Sequence, residues 1–212
     1  MRATLRTTIL AAAAAVTLTA CTAEGTGTAA TTDGTTTDAA TPATTGTDDG
    51  GTTVTLTDAD GAEVGTAVLR EDGDAVAIDV DVADLEPGFH GFHLHAVGLC
   101  EPASPDPSDP AKVGDFLSAG GHLGADASDH GAHAGDLPTL LVEQGGTATL
   151  TVRTDAVTMD DLLDDDGSAV MIHADADNFA HIPERYAPAG PDEQTLRTGD
   201  AGDRIACGVL EG

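Results

Sequence analysis

Basic residues are scarce in this chain. Lys and Arg together number 8 against 37 Asp and Glu, so the formal net charge is −29, and Lys112 is the only lysine. A surface of that sign does not attract nucleic acid or an anionic membrane by charge. Long apolar runs are also lacking. The one near the N-terminus, "TILAAAAAVTLTA", is too short for a stable bilayer-spanning helix. There is no internal repeat, coiled-coil heptad, glycine-rich phosphate loop or nucleophile elbow. Cysteine is limited to Cys21, Cys100 and Cys207.

The N-terminal run begins after Arg2 and Arg6 and ends in "LTAC", small residues leading into Cys21. That is the shape of a bacterial lipoprotein signal over residues 1–20, whose cysteine becomes the lipid-bearing N-terminus. The alternative is a plain secretory signal with an incidental cysteine. Both readings predict an exported chain, in the periplasm or cell envelope or on the outer face of the cytoplasmic membrane. Touching the membrane only through a lipid on Cys21 fits the acidic composition. Residues 21–51 are rich in Thr, Ala, Gly and Asp and carry no Lys, Arg or aromatic side chain. Such a segment cannot bury enough apolar surface to offset its ordering entropy, so it reads as a tether. Residues 52–212 then form one domain of ordinary size. With Cys21 lipidated, Cys100 and Cys207 remain as a natural pair in an oxidising compartment, with two buried free thiols as the other reading.

Within the domain the period is two. In "DAVAIDVDVADL", Val76, Ile78, Val80 and Val82 share one face while Asp79 and Asp81 take the other. Seven further segments, including "PGFHGFHLHAVG", "LPTLLVE", "SAVMIHA" and "RIACGVL", read as short strands, with almost no helix between them. The expected fold is all-β, an eight-stranded antiparallel sandwich or barrel. Two connections, 99–136 and 174–202, are too long for hairpins, and their polar content points to function.

All eight histidines lie in this domain. His93 and His95, two apart on a strand, share a face, while Phe92 and Leu94 turn inward. Two imidazoles at that spacing can grip one metal ion, but carbonic anhydrases and metallo-hydrolases use the same pair. His122, His130, His133 and Asp136 fall within fifteen residues and make a full tetrahedral donor set for zinc. His173 ends an apolar strand. Two sites sharing His122 are therefore expected.

The motifs "GFHGFHLHAVGLCEP", "SAGGH", "HAGDLP", "VMIHADADNF" and "GDRIACGV", in that order, resemble those of copper–zinc superoxide dismutases, specifically a bacterial lipoprotein branch. The resemblance spans most of 52–212. It implies a Greek-key β-barrel with two functional loops and dismutation of superoxide to O₂ and hydrogen peroxide. Copper ligands would be His93, His95, His122 and His173, and zinc ligands His122, His130, His133 and Asp136. Asp177 would link a copper-side to a zinc-side histidine. Arg204 would stand beside the open copper position, with His122 carrying a proton. Cys100 and Cys207 would form a disulfide, and His90 would be a structural hydrogen-bonding residue. The chain departs from the family in one place. Only two residues separate His130 from His133, fewer than usual, and some short-loop relatives bind copper alone. Ligand count favours zinc here; solvated loop histidines are the competing reading. A non-enzymatic copper-binding or copper-delivery lipoprotein on the same fold is the alternative function. The family's frequent dimerisation leaves a homodimer open.

Overall fold

A computed structural model describes residues 50–211. The signal, Cys21 and nearly all of the tether lie outside the described residues. Eleven strands form: β1 Thr52–Thr57, β2 Glu63–Asp72, β3 Ala75–Val82, β4 Gly88–His90, β5 Phe92–His95, β6 Ser104–Asp106, β7 Asp109–Gly114, β8 Leu140–Val142, β9 Ala148–Thr154, β10 Ser168–His173 and β11 Arg204–Leu210. The described residues also form two short α-helices, α1 Met159–Leu162 and α2 Glu193–Thr198, and a 3-10 turn at Leu117–Ala119.

Seven strands make one antiparallel sheet in the order β5-β10-β11-β1-β2-β3-β9, and β4 pairs with β8. The sheet is curled. Phe92 and Leu94 from one end share a core cluster with Ala148 and Val152 from the other, and with Leu140 and Val142 of β8. Alternation in β3 holds as expected: Val76, Ile78, Val80 and Val82 are buried, and Asp81 is exposed.

All eight expected strand segments form, and one of them is broken. "GFHGFHLH" divides at Gly91 into β4, which turns to β8, and β5, which pairs with β10. Gly91 instead bonds outward, its N–H donating to Asp175 O (2.8 Å) and its carbonyl accepting from His173 N (2.8 Å). A β-carbon there would sit 2.5 Å from that of Ala201. The long connections also hold more structure than expected. The first contains the β6–β7 hairpin and the 3-10 turn, and the second contains α2, capped by Asp192 and Gly199.

A smaller cluster lies on the outer face of the sheet, where Phe116 and Ala119 pack on Ala169, Met171 and Cys207. Cys100 and Cys207 are bridged, with Cα atoms 5.7 Å apart, which ties the first connection to β11.

Candidate metal centre

β5 is the edge strand of the large sheet, so one side of it is free to bond a loop. The first connection returns along that side. Leu94 N donates to Gly135 O (2.8 Å), Leu123 N donates to Leu94 O (2.9 Å), and Gly135 N donates to Leu123 O (2.9 Å). Isolated bridges thereby set His93 beside Asp136 and His95 beside His122. Gly135 permits the approach, because a β-carbon there would lie 2.2 Å from the Leu94 carbonyl oxygen. On the other side of β5, the register pairs His93 with Met171 and His95 with Ala169, which brings His173 of the same face to the site. His90 holds the back of this strand, with Nδ1 2.7 Å from the His173 carbonyl.

His93, His95, His122 and His173 are all buried, and one ligand atom from each lies within 4.8 Å of the others. Their hydrogen bonds fix which nitrogen faces inward. A carboxylate or carbonyl only accepts, so the ring nitrogen beside it carries the proton. His93 donates through Nε2 to Asp177 Oδ2 (2.8 Å), which leaves Nδ1 unprotonated, buried and without a partner. His95 donates through Nδ1 to Gly120 O (2.9 Å), and His173 through Nδ1 to Gly202 O (3.2 Å). Their free Nε2 atoms stand 3.4 Å apart, two lone pairs aimed at one point. Burial lowers the pKa of His93 and His122, the latter to about 4, and holds His95 and His173 well below the ordinary value, so all four are neutral at pH 7. Neutral, convergent lone pairs with no proton between them are what a cation fills.

A second group adjoins the first. His122 Nδ1, His130 Nδ1 and His133 Nδ1 lie 2.9, 3.1 and 3.3 Å from Asp136 Oδ1. The Nδ1 atoms of His122 and His133 are 3.4 Å apart. A tetrahedron with bonds of about 2.0–2.1 Å has edges of about 3.3 Å, so these spacings fit a four-coordinate zinc site. One ligand atom of His93 also lies within 4.8 Å of those of His122, His130 and Asp136. The shorter contacts to Asp136 decide for His133, and the His93 Nδ1 belongs to the four-histidine set. Two backbone bonds close the short loop: Asp136 Oδ2 accepts from Gly131 N (2.7 Å) and His133 N (3.0 Å).

Asp177 joins the two groups. It accepts from His93 Nε2 through Oδ2 and from His130 Nε2 (2.8 Å) through Oδ1. Burial works against its charge, but the His130 and His93 hydrogen bonds outweigh that and hold Asp177 well below the carboxylate range. Burial also works against charging His130. There the Asp136 and Asp177 carboxylates win, and its pKa is raised to about 9.

The two groups differ in access. His95, His122 and His173 open onto a cavity of about 740 Å³ that also touches Lys112, Arg197 and Arg204. His130 and His133 do not reach it. The Arg204 guanidinium donates to Phe116 O (2.5 Å) and Gly120 O (2.6 Å). Burial lowers its pKa to about 10, so it stays charged at pH 7. Among the described residues no carboxylate forms an ion pair with it. An open neutral-imidazole site beside a guanidinium that no carboxylate contacts directly is arranged for a small anion.

The sequence reading missed the carbonyl acceptors at Phe116, Gly120 and Gly202, which carry no residue-type signature. It also missed Phe179, whose ring stacks on His130 with centroids 6.2 Å apart. His181 is exposed and joins neither group.

A family model described as copper/zinc superoxide dismutase (SODC) matches residues 63–210. A Mycobacterium tuberculosis protein named superoxide dismutase [Cu-Zn] is 49% identical over 166 residues, covering 74% of this chain and 69% of that protein. One of the same name from Mycolicibacterium paratuberculosis is 47% identical, covering 74% and 73%. Among solved structures, the Cu/Zn superoxide dismutase from Brucella abortus superposes with a TM-score of 0.60 at 29% identity, over 76% of this chain and 99% of that one.

Proposed function

Because the chain belongs to the copper/zinc superoxide dismutase family, we propose that it converts superoxide to O₂ and hydrogen peroxide at a copper site made by His93, His95, His122 and His173. His122, His130, His133 and Asp136 then hold zinc. One observation supports this division most directly. The unprotonated Nε2 atoms of His95 and His173 converge at the cavity, whereas of the Asp136-centred set only the shared His122 reaches it. Open sites suit reaction and closed tetrahedral sites suit structure. Copper bound among four imidazoles supplies the one-electron exchange that zinc, with no accessible redox change, cannot.

The chain's own residues do the rest. Arg204 offers the anionic substrate a positive charge at the cavity wall. His122, shared by the two donor sets and lining the cavity, would take a proton from water when its copper-side nitrogen is not held by the metal, and pass it to peroxide. Asp177 and the Gly120 and Gly202 carbonyls hold the ligand rings in the tautomers that leave the metal-facing nitrogens bare. Export through the N-terminal signal and a lipid anchor on Cys21 complete the reading. Radiolabelled acyl chains should be incorporated by the full-length chain and not by Cys21→Ser.

The testing experiment follows the decay of a superoxide pulse with the protein loaded with copper and stripped of zinc. Fast catalytic decay is expected. No catalysis either before or after zinc is added back would leave a copper-binding protein and overturn the enzymatic reading.

A further inference from the structure

Phe116 occupies an unusual backbone conformation for a large aromatic residue. Its φ is 59°, in the left-handed region that side chains other than glycine, asparagine and aspartate seldom adopt. Its ring is nonetheless only 1% exposed. Four residues on, Gly120 also has a positive φ, 72°. These two residues bracket the 3-10 turn Leu117–Ala119, and both their carbonyls point at one guanidinium.

Phe116 is held from three sides. Its N–H donates to Glu101 O (2.9 Å), next to the bridged Cys100. Its ring packs with Ala119, Ala169, Met171 and Cys207 in the small outer cluster. Its carbonyl accepts from Arg204 Nη1. We propose that Phe116 is a positioning residue: its ring, locked in the outer cluster, holds the strained backbone so that its carbonyl fixes Arg204 at the cavity.

With no carboxylate in ion-pair contact, the guanidinium donates its hydrogen bonds to the two carbonyl dipoles, and Asp106 acts on it only through space. Both carbonyls are shared, that of Gly120 with His95 Nδ1 and that of Phe116 with Ala119 N (3.1 Å), so the turn that Phe116 opens and the contact to Arg204 depend on the same oxygen. Removing the ring removes the packing that holds φ positive. The backbone is then free to relax to negative φ and swing the carbonyl away. The charge remains, but it is no longer fixed where an anion docks. The inference rests on the superoxide dismutase reading and on the role given there to Arg204.

The test is a double-mutant cycle of Phe116→Ala and Arg204→Ala on the copper-loaded protein. Three quantities are measured: copper content, the rate of superoxide decay, and azide affinity by optical titration of the copper. Phe116→Ala should keep its copper and lose about tenfold in both rate and azide affinity, as a small misplacement of a fixed group does. In the Arg204→Ala background the same change should alter neither by more than about twofold. An equal loss in both backgrounds would make Phe116 a merely structural residue. If Arg204→Ala loses rate and azide affinity while Phe116→Ala loses neither, the positioning role fails and the arginine's role stands. An Arg204→Ala protein with full rate and azide affinity would remove the reading beneath both. Should Phe116→Ala not fold, Phe116→Leu runs through the same cycle. A partial loss that vanishes without Arg204 is expected, and a loss that persists would overturn the proposal.

Discussion

Asp177 serves two histidines with one carboxylate, and each of its oxygens needs an N–H opposite it. An Asp177→Asn side chain has one accepting oxygen and one donating nitrogen. The nitrogen would meet an Nε2–H, so one ring must change tautomer and turn its proton toward the metal. Metal affinity should fall about 10–100-fold. Chelator competition for copper and zinc measures this, and unchanged affinity for both metals would refute the tautomer argument. His130 leads to a second prediction. In the metal-free protein its pKa is raised to about 9, because the carboxylates outweigh burial. It is therefore protonated at neutral pH, and zinc must displace that proton. Apparent zinc affinity should rise about tenfold per pH unit from about pH 6 to 9 and then level off. The sign for metal-free stability is opposite. A histidine raised above its unfolded value stabilises fully below that value, and its contribution is lost as pH rises through 9. Zinc affinity flat across this range would mean that His130 is neutral before the metal arrives.

At the scale of elements, legibility follows the period of the pattern. β3 was plain because alternation puts four β-branched residues on one face. H-x-H was legible as a ligand pair because a strand sends i and i+2 to the same side. The β6–β7 hairpin was not legible, since Pro105 and Pro110 sit within its strands and proline argues against a strand. α2 carried a usable signal in its caps, Asp192 and Gly199, inside a segment expected to be loop. The ligand side chains could be named from sequence. The carbonyls that orient them could not, because any residue carries a carbonyl and only the fold decides where it points. The disulfide links these elements: Cys100 anchors the strand of chain that leads to Glu101 and Phe116, and Cys207 lies on β11 with Arg204. The bridge closes a sequence separation of 107 residues. Replacing both cysteines with serine should cost about 4–5 kcal/mol on the chain-entropy model. Denaturant unfolding of the metal-free protein checks it, and a loss below about 1 kcal/mol would show that the loop is held without the bridge.

For the whole molecule the difficulty is its sign: a chain of net charge −29 is proposed to attract an anion. Distance separates the two fields. The general acidity is spread over the surface, whereas three of the described bases are gathered at the cavity. There Lys112, Arg197 and Arg204 face five aspartates, and Arg204 lies deepest, beside the imidazoles. At an ionic strength of about 0.01 M the screening length is about 30 Å, so an approaching anion feels the whole negative surface. At about 0.15 M it is about 8 Å, and the distant aspartates fade while Arg204 still acts. Near 1 M it is about 3 Å, and the arginine is screened as well. The rate of superoxide decay should therefore rise with salt, pass a maximum near physiological ionic strength and then fall. In Arg204→Ala the falling arm should disappear, because the charge that high salt screens is gone. A rate that falls steadily from the lowest salt would mean that the three bases already dominate at long range. In that case the acidity of the chain does not touch catalysis.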